Sequence, residues 1–180
     1  MATIILRPEA IGSSSGFNSS GSTLLNRIND NDTGTTAVQN QTSASIGGIN
    51  FEDSNNYTGA TIDDLTISII GKAGRAGAAT VQCELFNPDE ELIQDRTLSF
   101  GGSTSQQNCS TITANLTPAI INGMLLDLTP NTQGITIMEV FVTVNFTVAT
   151  GYGNKVNAVE SIGKVNTVAT GSIGKINTVD

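Results

Sequence analysis

The chain has 180 residues and a formal net charge of −8, with no histidine and no tryptophan. A length of that order holds one ordinary domain, and the lack of histidine excludes Ser-His-Asp and Cys-His catalysis, the usual zinc sites and a histidine pH switch. Only five basic residues precede position 151 (Arg7, Arg27, Lys72, Arg75 and Arg96), and their scatter argues against nucleic acid as a partner.

The 38% of hydrophobic residues suffices for a core, and most of the rest is Ser, Thr, Asn and Gly. Thr and Val fit pleated surfaces, whereas Asn and Gly supply turn positions with positive φ. The expected class is all-β: an antiparallel two-sheet sandwich, jelly-roll-like, over residues 1–150.

Residues 2–6 read as a first strand stopped by Pro8, followed by a Gly/Ser-rich loop over 12–22. Leu24, Leu25 and Ile28 suggest one capped helical turn after Ser22-Thr23. The run Asn29-Asp30-Asn31-Asp32-Thr33 is dense in oxygen ligands, but lacks the glycine and glutamate of a calcium loop and reads as a polar turn. Strands are expected at 36–40, 44–51, 61–70, 78–86, 91–100, 108–116, 123–128 and 134–148. Alternation is clearest in the last of these, where Val140, Val142, Val144, Phe146 and Val148 interleave with the polar neighbours Glu139, Thr143, Asn145 and Thr147. Leu65, Ile67 and Ile69 alternate with Thr66 and Ser68 in the same way. Such patterning marks strands with one buried and one wet face.

No catalytic constellation emerges. Gly71-Lys-Ala-Gly-Arg-Ala-Gly77 departs from a phosphate-binding loop and reads as a hairpin connection. Asp63-Asp64 and Glu90-Glu91 are sequence neighbours, which on a regular strand point to opposite faces. Cys83 alternates with Val81 and Leu85, so it is expected inside. Buried free thiols are the plainer reading for Cys83 and Cys109, with a disulfide as the alternative. With no Trp and only Tyr57 and Tyr152 as tyrosines, a stacking platform for sugars looks hard to build. No cofactor and no metal are expected. The N-terminus does not read as a signal peptide, and no apolar run is long enough for a membrane helix.

Composition changes at residue 151. Gly153-Asn-Lys-Val-Asn-Ala-Val-Glu160 is echoed by Ile162-Gly-Lys-Val-Asn-Thr-Val-Ala169 and by Ile173-Gly-Lys-Ile-Asn-Thr-Val-Asp180. The tail is near neutral, whereas residues 1–150 carry five basic and fourteen acidic side chains. Its branched apolar residues are too few to offset the entropy of ordering the segment alone. It is therefore expected to dock on a partner through Lys155, Val156, Val159, Ile162, Lys164, Val165, Val168, Ile173, Lys175, Ile176 and Val179, in the manner of an added strand.

The opening Met1-Ala-Thr-Ile-Ile-Leu-Arg-Pro8, the Leu25-Asn-Arg-Ile-Asn-Asp30 turn leading to Asp32-Thr-Gly-Thr, and the closing Leu128-Thr-Pro-Asn-Thr-Gln-Gly-Ile-Thr-Ile-Met-Glu-Val140 resemble small β-sandwich structural proteins of tailed bacteriophages, especially phages of cyanobacteria and marine bacteria. The tail is similar to the Ile-Gly-Lys-Val-Asn repeats appended to many phage structural proteins. The resemblance implies a non-enzymatic virion component assembled in the host cytoplasm. Its partners would be the major capsid protein or other virion proteins and further copies of itself, with no nucleic acid and no membrane. Capsid decoration is the leading expectation, and an adhesin module on a tail or fibre is the alternative.

Overall fold

The computed structural model describes residues 1–17, 23–31, 37–39, 43–57, 59–74, 77–131 and 134–148, with the backbone of 164–165 and 168–169. In chain order the strands are β1 (Ala2–Leu6), β2 (Pro8–Ser15), β3 (Ala37–Val38), β4 (Ser45–Phe51), β5 (Ala60–Ala73), β6 (Ala79–Phe86), β7 (Leu92–Phe100), β8 (Ser105–Asn108), β9 (Leu125–Pro130), β10 (Ile135–Val148), β11 (Lys164–Val165) and β12 (Val168–Ala169). A 3-10 turn spans Leu25–Arg27, and one short helix, α1, spans Pro118–Gly123.

Two antiparallel sheets face each other. The first has the order β1-β10-β5-β8, with β3 also pairing β10, and the second has the order β2-β4-β9-β6-β7. The expected all-β, jelly-roll-like sandwich is the fold found. The chain changes sheet at almost every connection. Arg7 alone separates β1 in the first sheet from β2 in the second.

The alternating apolar positions supply the inner faces. Val140, Val142, Val144 and Phe146 of β10, with Leu65, Ile67 and Ile69 of β5, are buried against Val81 and Leu85 of β6 and Leu126 and Leu128 of β9. Tyr57 meets Phe146 edge-on, with ring centroids 5.8 Å apart at 76°, a favoured aromatic geometry.

Several boundaries differ from the sequence reading. Residues 12–15 belong to β2 rather than to a loop. A proline at the first position of an edge strand gives up no ladder hydrogen bond, and mostly exposed side chains leave β2 without apolar alternation. The strand expected over 108–116 is confined to Ser105–Asn108, after which the chain keeps to β5 through a bond from the Cys109 N–H to the Ile67 carbonyl and reciprocal backbone bonds between Leu65 and Ile112. Strand β5 continues through Gly71 to Ala73. Gly71 is needed there, because a Cβ would stand 2.7 Å from the Thr136 carbonyl oxygen. Helix α1 was not expected, although Thr117 caps it by accepting from the Ile120 N–H at 3.2 Å, with Pro118 next in line. Val148, grouped with the inward series, is 53% exposed. Glu139, read as a wet-face residue, is only 4% exposed, with its carboxylate 3.4 Å from the Arg7 guanidinium.

Candidate functional site

The outer faces of the two sheets are built differently. On the first sheet the polar side chains bond one another. Thr3 donates to Asn145 at 2.6 Å, Asn145 donates to Asp64 at 2.8 Å, and Thr147 donates to Asp63 at 2.7 Å. The register between β5 and β10 shifts between Asn145 and Phe146, passing from Asp64 to Ile62 and leaving Asp63 as the extra residue of a β-bulge. That bulge overturns the expectation that Asp63 and Asp64 diverge: both reach outward-facing side chains of β10. Each carboxylate already accepts a hydrogen bond there. Further along, Ser68 donates to Asn108 at 3.0 Å and Gln106 donates to Asn108 at 2.9 Å. This face is largely occupied with itself.

The second sheet presents a different set. Glu84 of β6 is directly opposite Asp127 of β9 on one side and Asp95 of β7 on the other. Three carboxylates thus stand in one row across three strands. Gln82 pairs with Thr129 and Thr97 in the next outward row, and Phe86 pairs with Leu125 at the far end. No Lys or Arg stands at these paired positions. Like charges directly opposite one another cost stability, roughly 0.2–1 kcal/mol per pair, and two local bonds ease the cost only in part. Gln82 Nε2 donates to Asp95 at 3.2 Å, and the Gly48 N–H donates to Asp127 Oδ1 at 2.7 Å.

The second bond depends on backbone shape. The β4–β9 register shifts between Ile46 and Ile49, and Gly48 sits there at φ 64°, a conformation open to glycine at little cost. The turn thereby aims its N–H at Asp127. Gly48, Phe86, Glu90, Leu125 and Asp127 line a shallow cavity of about 320 Å³. Glu90 is brought in by the turn before β7, where Asn87 Oδ1 accepts from the N–H groups of Asp89 and Glu91 at 3.0 and 2.8 Å. Glu90 itself adopts φ 62°.

The cavity therefore joins an apolar patch (Phe86, Leu125) to carboxylate acceptors. A flat ligand bearing hydroxyl groups could lay an apolar face on the patch and donate to the carboxylates in charge-assisted hydrogen bonds. Among the described residues, no group of three or more Asp, Glu, Cys or His side chains is placed to hold a metal ion. A second hollow, near Leu92, Ile93, Ile112 and Ile120, is mainly aliphatic. Its polar rim is engaged internally, with Asn87 Nδ2 donating to Glu91 at 3.0 Å.

Sequence reasoning missed Phe86 as a surface aromatic. The signal was present: Val81, Cys83 and Leu85 face inward, so Phe86 is out of phase and half-buried. The proposed docking residues Lys155, Val156, Val159, Ile162, Ile173, Lys175, Ile176 and Val179 lie outside the described residues. Of the others, Lys164, Val165 and Val168 are described in backbone only, in a two-stranded antiparallel pairing of Lys164 with Ala169 and Val165 with Val168. Asp32 and Thr33 of the polar turn, and Arg75 and Ala76 of the glycine-rich connection, also fall outside. Cys83 and Cys109 are both buried thiols. Among the described residues no helix is long and apolar enough to cross a membrane.

No protein-family model matches the chain, and no curated protein matches it. Solved structures do. The C-terminal CBM6 of a marine laminarinase from Zobellia galactanivorans is 12% identical, with a TM-score of 0.49 over 80% of this chain and 100% of that one. The CBM32 of AlyQ, solved with 4,5-unsaturated mannuronic acid, is 13% identical, with a TM-score of 0.46 over 77% and 97%. The carbohydrate-binding module CBM6cm-2 of Cellvibrio mixtus lichenase 5A, solved with cellotriose, is 10% identical, with a TM-score of 0.44 over 80% and 97%. At these identities the likeness extends to the small two-sheet antiparallel sandwich alone.

Proposed function

We propose that the chain is a non-enzymatic recognition module of the adhesin kind, which binds a polyhydroxylated surface on the outer face of the second sheet. The supporting observation is the Phe86–Leu125 patch beside Asp127, Glu84 and Glu90. Hydrolysis of a sugar polymer is a poorer reading of the same carboxylates. A glycosidase places its two carboxyl groups on either side of the scissile bond, whereas side chains on one sheet face all point the same way. The excess of acidic groups favours an uncharged or amino-bearing glycan over an anionic one.

The tail repeats fix the module to a larger particle, which the phage-like segments make a virion. Copy number then separates the two placements: many copies per particle mean capsid decoration, and few mean a fibre or baseplate. Capsid decoration remains the second reading, favoured by the threefold repetition of the tail, since repeated units suit a repeated lattice.

The test is titration calorimetry of the intact protein against neutral, amino-bearing and anionic polysaccharides. Phe86→Ala and Asp127→Asn should each weaken binding to the neutral or amino-bearing polymer by about tenfold or more, as for loss of one well-placed contact of roughly 1.4 kcal/mol. Thr66→Ala, on the other sheet, should leave it unchanged. Binding to none of these polymers, or equal binding by all variants, would overturn the recognition reading and leave decoration.

A further inference from the structure

Asn122-Gly123 is the only Asn-Gly step in the chain, and the fold has a use for both residues. They end the short helix α1. The Asn122 side chain ties that helix to the segment after β4. Its Oδ1 accepts from the Ser54 N–H at 3.2 Å and from the Tyr57 hydroxyl, while its Nδ2 donates to the Ser54 carbonyl at 3.3 Å. A primary amide can accept from one of these main-chain groups and donate to the other, which a carboxylate cannot do. Gly123 is fixed from another side. A Cβ there would stand 2.6 Å from Pro88 Cγ and 3.1 Å from Pro88 Cβ, and the pyrrolidine ring has little freedom to give way.

The step that the packing selects is chemically short-lived. A glycine after an asparagine leaves its nitrogen unshielded, free to approach the preceding side-chain amide. The fold opposes that approach twice. The helical backbone at Asn122 directs the Gly123 nitrogen along the helix, out of line with Asn122 Cγ. The three bonds to Ser54 and Tyr57 keep the amide turned towards the opposite segment.

We infer that Asn122 is a deamidation site held in check by the Ser54–Tyr57 clasp, and that its reaction undoes the clasp for good. When the clasp opens, the Gly123 nitrogen gives up its proton to solvent and attacks Asn122 Cγ. A C–N bond forms, the Cγ–Nδ2 bond breaks, and ammonia leaves with a proton taken from water. Water then adds to one of the two carbonyl carbons of the five-membered imide. The ring C–N bond at that carbon breaks, and the nitrogen recovers its proton. Opening at Cγ leaves aspartate in the normal chain. Opening at the main-chain carbon leaves isoaspartate, with the chain running through the former side chain. One water is consumed and one ammonia released, with no change of oxidation state.

Neither product fits where the amide did. Aspartate puts a carboxylate oxygen in the place of Nδ2, 3.3 Å from the Ser54 carbonyl oxygen, so that an acceptor faces an acceptor. Isoaspartate lengthens the main chain by one carbon beside Gly123, where Pro88 already leaves no room for a Cβ. Pro88 belongs to the same turn as Glu90, so the displacement reaches the rim of the cavity beside Phe86 and Leu125.

The experiment incubates the full chain at mildly alkaline pH, folded and in urea, and follows Asn122 by peptide mapping with mass spectrometry. Deamidation there should run about tenfold or more slower in the folded chain, since local opening must precede it. Tyr57→Phe, which keeps the ring, should speed the folded-state reaction by about fivefold, the factor for one lost hydrogen bond. Asn122→Asp, the normal-chain product made directly, should lower the melting temperature by roughly 3–8 °C. Equal rates in the folded and unfolded chains, an Asn122 that stays intact in urea, a Tyr57→Phe rate equal to wild type, or an unchanged melting temperature in Asn122→Asp would each overturn the inference.

Discussion

Tyr57 shows how one residue can be legible in chemistry but not in place. Its ring is buried, its hydroxyl donates to Oδ1 of Asn122 in α1, and Asn122 Oδ1 also accepts from the Ser54 N–H at 3.2 Å. Burial and the nearby Asp53 carboxylate push its phenol up from 10.0 to about 12, with a bond to the Ser54 backbone opposing them. A neutral group whose ionisation is harder in the folded state stabilises fully below pH 10. Between pH 10 and 12 the unfolded chain loses a proton that the folded chain keeps, so stability falls. The loss should reach roughly 2–3 kcal/mol, measured as a drop in urea midpoint over that range. Tyr57→Phe should flatten this fall while costing about 1 kcal/mol at neutral pH for the lost hydrogen bond. An unchanged alkaline profile in that variant would assign the fall to other groups.

At the scale of elements, β10 is the strand most readable from sequence and the one on which the sandwich depends. It lies between β1 and β5, and Val142 is wholly buried. Val142→Asp would place an unpaired carboxylate in the core of a domain whose margin is typically ~5–15 kcal/mol; no cooperative melt should remain by circular dichroism. Thr143→Asp, one residue away on the outward face, should change stability by less than about 1 kcal/mol. A two-residue period was visible for β5, β6 and β10 because each has one dry and one wet face. It failed for β2, whose polar residues lie along an exposed edge. It failed also at Asp63, where one extra residue reverses the facing, and at Glu139, whose burial depends on Arg7, 132 positions away. The carboxylate row of Asp95, Glu84 and Asp127 was beyond reach for a related reason. It needs the partners of β6, and β9 is separated from β6 by two strands and a helix. A sequence period reports which face a residue takes, but not which strand stands beside it.

For the whole molecule, residues 1–150 contain every strand of the two large sheets. Deleting residues 151–180 should therefore leave the melting temperature of the sandwich within about 2 °C of the full chain, while incorporation into the assembled particle falls sharply. Unchanged incorporation would make the tail a passive connection. The threading of the first sheet has a further consequence, for synthesis. Ala2 is opposite Phe146 and Leu6 opposite Val142, while the other side of β10 pairs with β5. The first and last strands of this sheet in chain order are thus neighbours, and the last one fills the centre. Until β10 leaves the ribosome, β1 has no ladder to join and β5 has only short β8 on one side, so their other edges are open to wrong partners. Closure must wait for long-range pairing, which is slow. A chain stopped short of residue 135 should not yield a smaller sandwich; it should be material for chaperones and proteases.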